Sequence, residues 1–130
     1  MVNLTLTMIP HKLAVCRLTP EQLDPADFTQ SAWWSVTRTA DELSIVLPEA
    51  DVRPEWQAET DWRGLKVEGP LDFSLVGILA NLSQILADAH VSIFAISTYD
   101  TDYILVKAEK VEAAVVALTA AGHTINRSEK

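Results

Sequence analysis

In the second half of the chain, apolar and polar positions follow two alternating periods. From Trp62 to Gly69 they alternate every second residue, with Leu65 and Val67 on one face, and the run stops at Gly69-Pro70. That pattern predicts a strand followed by a turn. Ser74–His90 then sets Leu75, Ile78, Leu79, Leu82, Ile85, Leu86 and Ala89 at helical spacing, with Asn81, Gln84 and Asp88 opposite. Asp72 or Ser74 is the expected cap of its free N–H groups. Val91–Ser97 and Tyr103–Lys107 are β-branched and aromatic runs on either side of a polar tip, Thr98–Asp102, and predict a hairpin. Glu109–Ala121 reads as a second helix, with Val111, Ala114, Val115 and Leu118 inward and Gly122 as its stop; a short strand is expected at His123–Asn126. The order βαββαβ is the ferredoxin-like pattern, an α+β fold with two helices on one face of a four-stranded antiparallel sheet.

The first half repeats part of this grammar. At an offset of 60 residues, Trp34 falls on Phe94, Val36 on Ile96, Thr37 on Ser97, Glu42 on Asp102, Ile45 on Leu105 and Val46 on Val106. Each stretch has a small hydroxyl residue closing one strand and an acid opening the next, the signature of an internal duplication. At the same offset Val2–Ile9 corresponds to the strand at Trp62–Gly69. Where the second copy has its first helix, the first has Leu13–Leu18, a strand-like run, and Pro20, Pro25 and Pro48 leave room only for short helical turns. The expected organisation is a degenerate N-terminal unit over residues 1–61 and a complete one over 62–130. Pro48–Asp61, rich in acids, reads as a connector with one helical turn pinned by Trp56. Trp33 and Trp34 adjoin, so a strand would send one to the core and one outward. Arg38 and Glu42 are expected to pair across the first hairpin.

Composition narrows the function. The chain has 130 residues, 48% of them hydrophobic, enough for a core without disulfide or metal. Ten basic against 18 acidic side chains give a net charge of −8. That field repels nucleic acid and anionic membrane surfaces, so neither is an expected partner. The longest purely apolar run, Ala113–Leu118, is far short of the roughly 20 residues that span a bilayer. The N-terminus lacks a basic region ahead of an apolar one and is broken by Pro10, His11 and Lys12, so a cytoplasmic location is expected. Cys16 stands alone, in a strand-like run where burial is expected, and His11, His90 and His123 are scattered. No metal, cofactor or catalytic constellation is expected, and no phosphate-binding loop or nucleophile elbow is found.

The segment Gly69–Lys107, with an Asp and then a Gly at the passage from first strand to first helix, resembles an ACT domain. With Trp34–Glu49 it is similar to the tandem ACT proteins related to the cytosolic arginine sensors of animals, on the motifs "SVTRT…ELSIV" and "STY…DY.LV". The resemblance implies a tandem of two ACT-like units, the first degenerate, acting as a sensor of a small molecule, an amino acid or similar metabolite, without catalysis. It implies a ligand at an interface between ACT units, and a homodimer that rebuilds the four-unit arrangement of the animal proteins. The turn of the arginine sensors that contacts ligand matches Ser97, Thr98, Tyr99 and Asp102, with the acid facing a guanidinium. The candidate site is therefore Asp72, Leu75, Val76, Gly77 and Ile78 at the helix start, with Thr98, Tyr99 and Asp102 at the tip.

Each of these residues also has a plain structural role open to it. Gly77 suits close helix packing as well as close approach of a ligand to backbone N–H groups. Asp72 suits a helix cap, and Asp100 and Asp102 suit a turn. The arginine sensors are more polar at the helix start than Leu75 and Val76, so the ligand's identity stays open. A second reading also stays open: a non-catalytic interaction or dimerisation module whose ligand pocket is vestigial.

Overall fold

The computed structural model describes residues 3–69 and 77–127. In chain order its strands and α-helices are β1 (Thr5–Met8), β2 (Leu13–Leu18), β3 (Ser35–Arg38), β4 (Leu43–Pro48), β5 (Gln57–Val67), α1 (Ile78–Asp88), β6 (Phe94–Ser97), β7 (Asp102–Lys107), α2 (Val111–Ala120) and β8 (Thr124–Asn126). They fall into two units. His11–Trp62 forms one, and Met1–Pro10 with Arg63–Lys130 forms the other, so the first unit is inserted into the second in sequence. Residues 3–10, expected with the N-terminal unit, instead pack with the C-terminal one.

In the C-terminal unit the strand order is β6-β7-β5-β1-β8. The expected βαββαβ succession is present, from β5 to β8. β1 is a fifth strand set between β5 and β8, antiparallel to β5 (Leu6 opposite Val67) and parallel to β8 (Leu6 opposite Ile125). The reason is visible in its alternation: Leu6 and Met8 point into the core and Thr5 and Thr7 away from it. Leu6, Leu65, Val67, Ile104 and Val106 from the sheet meet Leu82 and Leu86 of α1 and Ala114 and Leu118 of α2. Leu82 and Leu86 lie one turn apart and are fully buried; each such side chain stabilises by roughly 1.5–3 kcal/mol.

Both helices end in the same way. After α2, Gly122 takes φ 100°, its N–H donates to Thr119 C=O (3.0 Å) and His123 N–H donates to Leu118 C=O (3.1 Å). This is a Schellman motif, and it bears out Gly122 as the stop. After α1, His90 N–H donates to Ala87 C=O and Val91 N–H to Leu86 C=O, both at 2.9 Å, with His90 itself at φ 63°. Val91, expected to open a strand, belongs to this cap and is buried against the core, so β6 begins only at Phe94. The N-cap of α1 is Gly77 rather than the expected Asp72 or Ser74, both of which lie outside the described residues.

The inserted unit has strand order β3-β4-β2-β5, through the first half of β5. This matches β6-β7-β5 and β8 of the other unit with 3-10 turns in place of helices: Pro20–Gln22 and Pro25–Asp27 after β2, and Glu49–Asp51 after β4. Leu13–Leu18 is therefore the first strand of the repeat, not a replacement for its helix, and Val2–Ile9 has no counterpart role. Pro25 explains why no helix runs on from Pro20: five residues into such a helix it would remove a backbone donor and clash with the preceding turn.

Hydrogen bonding also resets the register of the repeat. Thr39 N–H donates to Glu42 C=O (2.9 Å) in one tip and Thr98 N–H to Thr101 C=O (2.8 Å) in the other, so the tips stand 59 residues apart, not 60. At 59 the 3-10 turn Glu49–Asp51 also falls on Ala108–Lys110. The hydroxyls and acids around the turns match by type at 60 residues, one place away from the pairing that the turn hydrogen bonds set.

The core of the inserted unit joins Ala14, Cys16, Phe28, Ile45, Leu47 and Trp56. Burial pushes the Cys16 thiol up to about 11, so it stays neutral and unreactive at physiological pH. Trp56 pins its segment as expected, but the connector is short: Gln57–Asp61 already belong to β5. Neither Trp33 nor Trp34 reaches the core. Trp34 is 43% exposed and meets Phe28 edge-on at 4.9 Å. Glu42 pairs with Arg17 (3.3 Å), not with Arg38, because β2 lies beside β4 and delivers Arg17 to the tip.

Candidate ligand-binding site

The β6–β7 tip is built from its own hydroxyls. Thr98 Oγ1 donates to Thr101 C=O (3.0 Å) and accepts from Thr101 N–H (3.2 Å), closing the four-residue turn with side-chain as well as backbone bonds. Ser97 Oγ donates to Asp102 Oδ1 (2.7 Å) across the strand pair that closes the turn. Thr101 is only 5% exposed, and its Oγ1 donates to Val67 C=O at 2.5 Å. The tip is thereby tied to the last residue of β5, whose chain leads on toward α1.

Tyr99, at the apex, is 82% exposed. Asp102 is half-buried, and beyond the Ser97 hydroxyl its carboxylate has no hydrogen-bond or ion-pair partner among the described residues. Ser97 orients that carboxylate without exhausting it, because each oxygen can accept more than one bond. A guanidinium or ammonium group brought to the tip would find an aimed acceptor there.

At the start of α1, Gly77 takes φ 80° and ψ 2°, a left-handed conformation that favours glycine. Among the described residues a Cβ built on it would meet nothing within 4 Å, so the dihedral alone already accounts for the glycine. It contributes no side chain to the first N–H groups of the helix, and the first turn of α1 contains no acid. The positive end of the helix dipole therefore carries no countercharge from the helix itself. Ile78 packs against the core and is half-buried.

The structure thus gathers Thr98, Tyr99 and Asp102 on one tip and Gly77 and Ile78 on one helix start; Asp72, Leu75 and Val76 lie outside the described residues. Thr98 differs from expectation in one respect: its hydroxyl is committed to the turn. Thr101 was not singled out in the sequence. Its one signal there is a threonine among the acids of a turn.

Elsewhere in the C-terminal unit, His123 is 3% exposed, its Nδ1 accepts from Leu4 N–H (3.0 Å) and its Nε2 faces Asn81 Oδ1 at 3.3 Å. The imidazole therefore joins Leu4, just before β1, to α1 as a structural strut, donating from Nε2. Among the described residues no three His, Cys, Asp or Glu side chains come together as a metal ion would require. None of the described helices is long and apolar enough to cross a membrane.

Comparison with known proteins bears on the fold. Residues 57–120 match the ACT domain family, and residues 11–56 match a family described as an N-terminal domain. No curated protein matches the chain. Among solved structures, protein Atu0741 from Agrobacterium tumefaciens is similar over 100% of this chain and 97% of its own, with a TM-score of 0.92 and 28% identity. The regulatory subunit of aspartate kinase from Thermus thermophilus shares the fold over 89% of this chain and 96% of its own, at TM-score 0.61 and 13% identity. A structure of aspartokinase alpha and beta subunits shares it over 92% and 98%, at TM-score 0.68 and 12% identity. The chain is an α+β tandem of two ACT-like units: the second, complete one carries the match to the ACT domain family over residues 57–120, and the first has turns where the helices would be.

Proposed function

We propose that this protein is a non-catalytic sensor of an amino acid in the cytoplasm. The ligand sits where the Thr98–Asp102 tip and the start of α1 meet an ACT unit of a second copy in a homodimer. The observation that carries this reading is the tip itself: a turn braced by Thr98 and Thr101 that presents the oriented carboxylate of Asp102. The fold shared with a regulatory subunit of aspartate kinase supports a regulatory role. In this reading Asp102 takes a cationic group of the ligand, Tyr99 covers its apolar part, and the N–H groups after Gly77 take its carboxylate, with Asp72, Leu75, Val76 and Ile78 lining the helix side. The kinship with the arginine sensors belongs to the same proposal and puts basic amino acids first among ligands.

The test is thermal unfolding against the twenty amino acids, with oligomeric state measured alongside. A ligand at about 100 times its Kd stabilises by roughly 2.7 kcal/mol, a rise in Tm on the order of 10 °C for a domain of this size. Asp102→Asn is expected to abolish that rise while leaving the ligand-free Tm within a few degrees. A rise that survives Asp102→Asn would move the site elsewhere. A second reading, a dimerisation or docking module, draws on Tyr99 and on Val116, 66% exposed on α2; a flat panel with a stable dimer would favour it.

A further inference from the structure

The inserted unit has a cleft of its own, about 280 Å³, between the end of β2 with the turn after it and the β3–β4 tip. That tip is the structural copy of Thr98–Thr101 and is braced in the same way: Thr39 Oγ1 accepts from Asp41 N–H and from Glu42 N–H, each at 3.1 Å. The charges lining it are sorted into committed and uncommitted ones. Arg17 is committed, with Nη1 on Glu42 Oε1 (3.3 Å) and Nη2 donating to Asp41 C=O (3.1 Å). The guanidinium of Arg38 and the carboxylate of Asp41 have no hydrogen-bond or ion-pair partner among the described residues. The two uncommitted groups carry opposite signs and flank one tip.

A simple anion drawn to Arg38 would also meet Asp41, and a simple cation drawn to Asp41 would meet Arg38. A small molecule carrying both charges satisfies both groups at once. The cleft has the volume of roughly nine water molecules at about 30 Å³ each, room for an α-amino acid with a short side chain.

We propose that this cleft is a second binding site, separate from the Ser97–Asp102 tip, for a small zwitterion of the α-amino-acid class. Arg38 holds the carboxylate through its forked N–H groups and Asp41 holds the ammonium. The site is built wholly within the inserted unit and does not depend on the ligand proposed for the other tip.

Backbone amide chemical shifts of the full chain, followed during titration with glycine, L-alanine and L-serine, test it. Saturable movement of the Thr39, Asp41 and Glu42 amides is expected. Ethylamine and propionate, each carrying half of alanine's charge, are expected to bind at least tenfold more weakly than L-alanine. Arg38→Gln should weaken L-alanine binding at least tenfold with the remaining amide spectrum unchanged, and Arg38→Glu should weaken it further. The amides of residues 98–102 report the other site in the same spectra, so the two proposals fail separately. The inference is overturned if none of the three amino acids moves residues 39–42 saturably, if propionate or ethylamine binds as well as L-alanine, or if Arg38→Gln leaves the affinity unchanged.

Discussion

A threonine holds the candidate site in place. Thr101 is buried, donates its hydroxyl to Val67 C=O, and through its backbone N–H and C=O donates to and accepts from Thr98 Oγ1, so it fixes both the shape of the tip and its attachment to β5. Thr101→Val keeps the volume and removes the donor. A buried carbonyl left without its partner costs about 1–3 kcal/mol, and a loss of that size is expected in chemical denaturation. The same variant should broaden or shift the amide signals of residues 98–102, because the tip loses its tether; unchanged signals there would show that the turn's own hydrogen bonds suffice. At this scale the sequence was a partial guide. Composition marked Thr98, Tyr99 and Asp102 as a polar tip, and they are one. It carried no sign that Thr101 points inward, because that depends on β5, 34 residues upstream. Nor did it show that Gly77 takes a left-handed dihedral.

The helix ends show how far an element can be read from its residues. Both α1 and α2 close with a Schellman motif, but one uses Gly122 and the other His90 in the left-handed conformation. A side chain there costs roughly 1–2 kcal/mol, partly offset by the chain entropy that glycine adds to the unfolded state. His90→Gly is therefore expected to stabilise the protein by about 0.5–1 kcal/mol and to raise Tm by a few degrees. Gly122→Ala should do the opposite and do it more strongly, because φ is 100° and the new Cβ would lie 3.0 Å from Asn3 Oδ1. A destabilised His90→Gly variant would mean that the imidazole makes a contribution beyond the cap. Periodicity found the helices, the hairpins and the Gly122 stop, since each is encoded in a few neighbouring residues. It extended β6 back to Val91 because a β-branched residue packed under a helix cap looks, in sequence, like the start of a strand. The repeat was found but set one residue off, because turn hydrogen bonds, not residue types, fix the register of the tips.

At the scale of the whole chain, the lesson lies in β1. The 60-residue offset matches it to Trp62–Gly69 and so to the N-terminal unit, yet its partners are β5 and β8 and its Leu6 and Met8 are in the C-terminal core. Such a placement rests on pairing across more than a hundred residues, which local pattern does not carry. It has a direct consequence for dissection. Residues 62–130, the natural cut from sequence, lack β1 and should lose its two core side chains and its hydrogen bonds to both neighbours. The two pieces of the C-terminal unit meet closely at the insertion point, where Ile9 N–H donates to Gly64 C=O at 2.9 Å. Joining Pro10 to Arg63 through an Asn-Gly turn should therefore restore an antiparallel β1–β5 hairpin. The linked chain is expected to unfold cooperatively and at a higher denaturant midpoint than residues 62–130, with burial of Leu6 alone worth roughly 1.5–3 kcal/mol. Equal midpoints would mean that β1 is dispensable. If the linked chain folds and still moves the amides of residues 98–102 on addition of an amino acid, the C-terminal unit carries that response without the inserted one; if the response vanishes while the fold persists, the inserted unit is required for it.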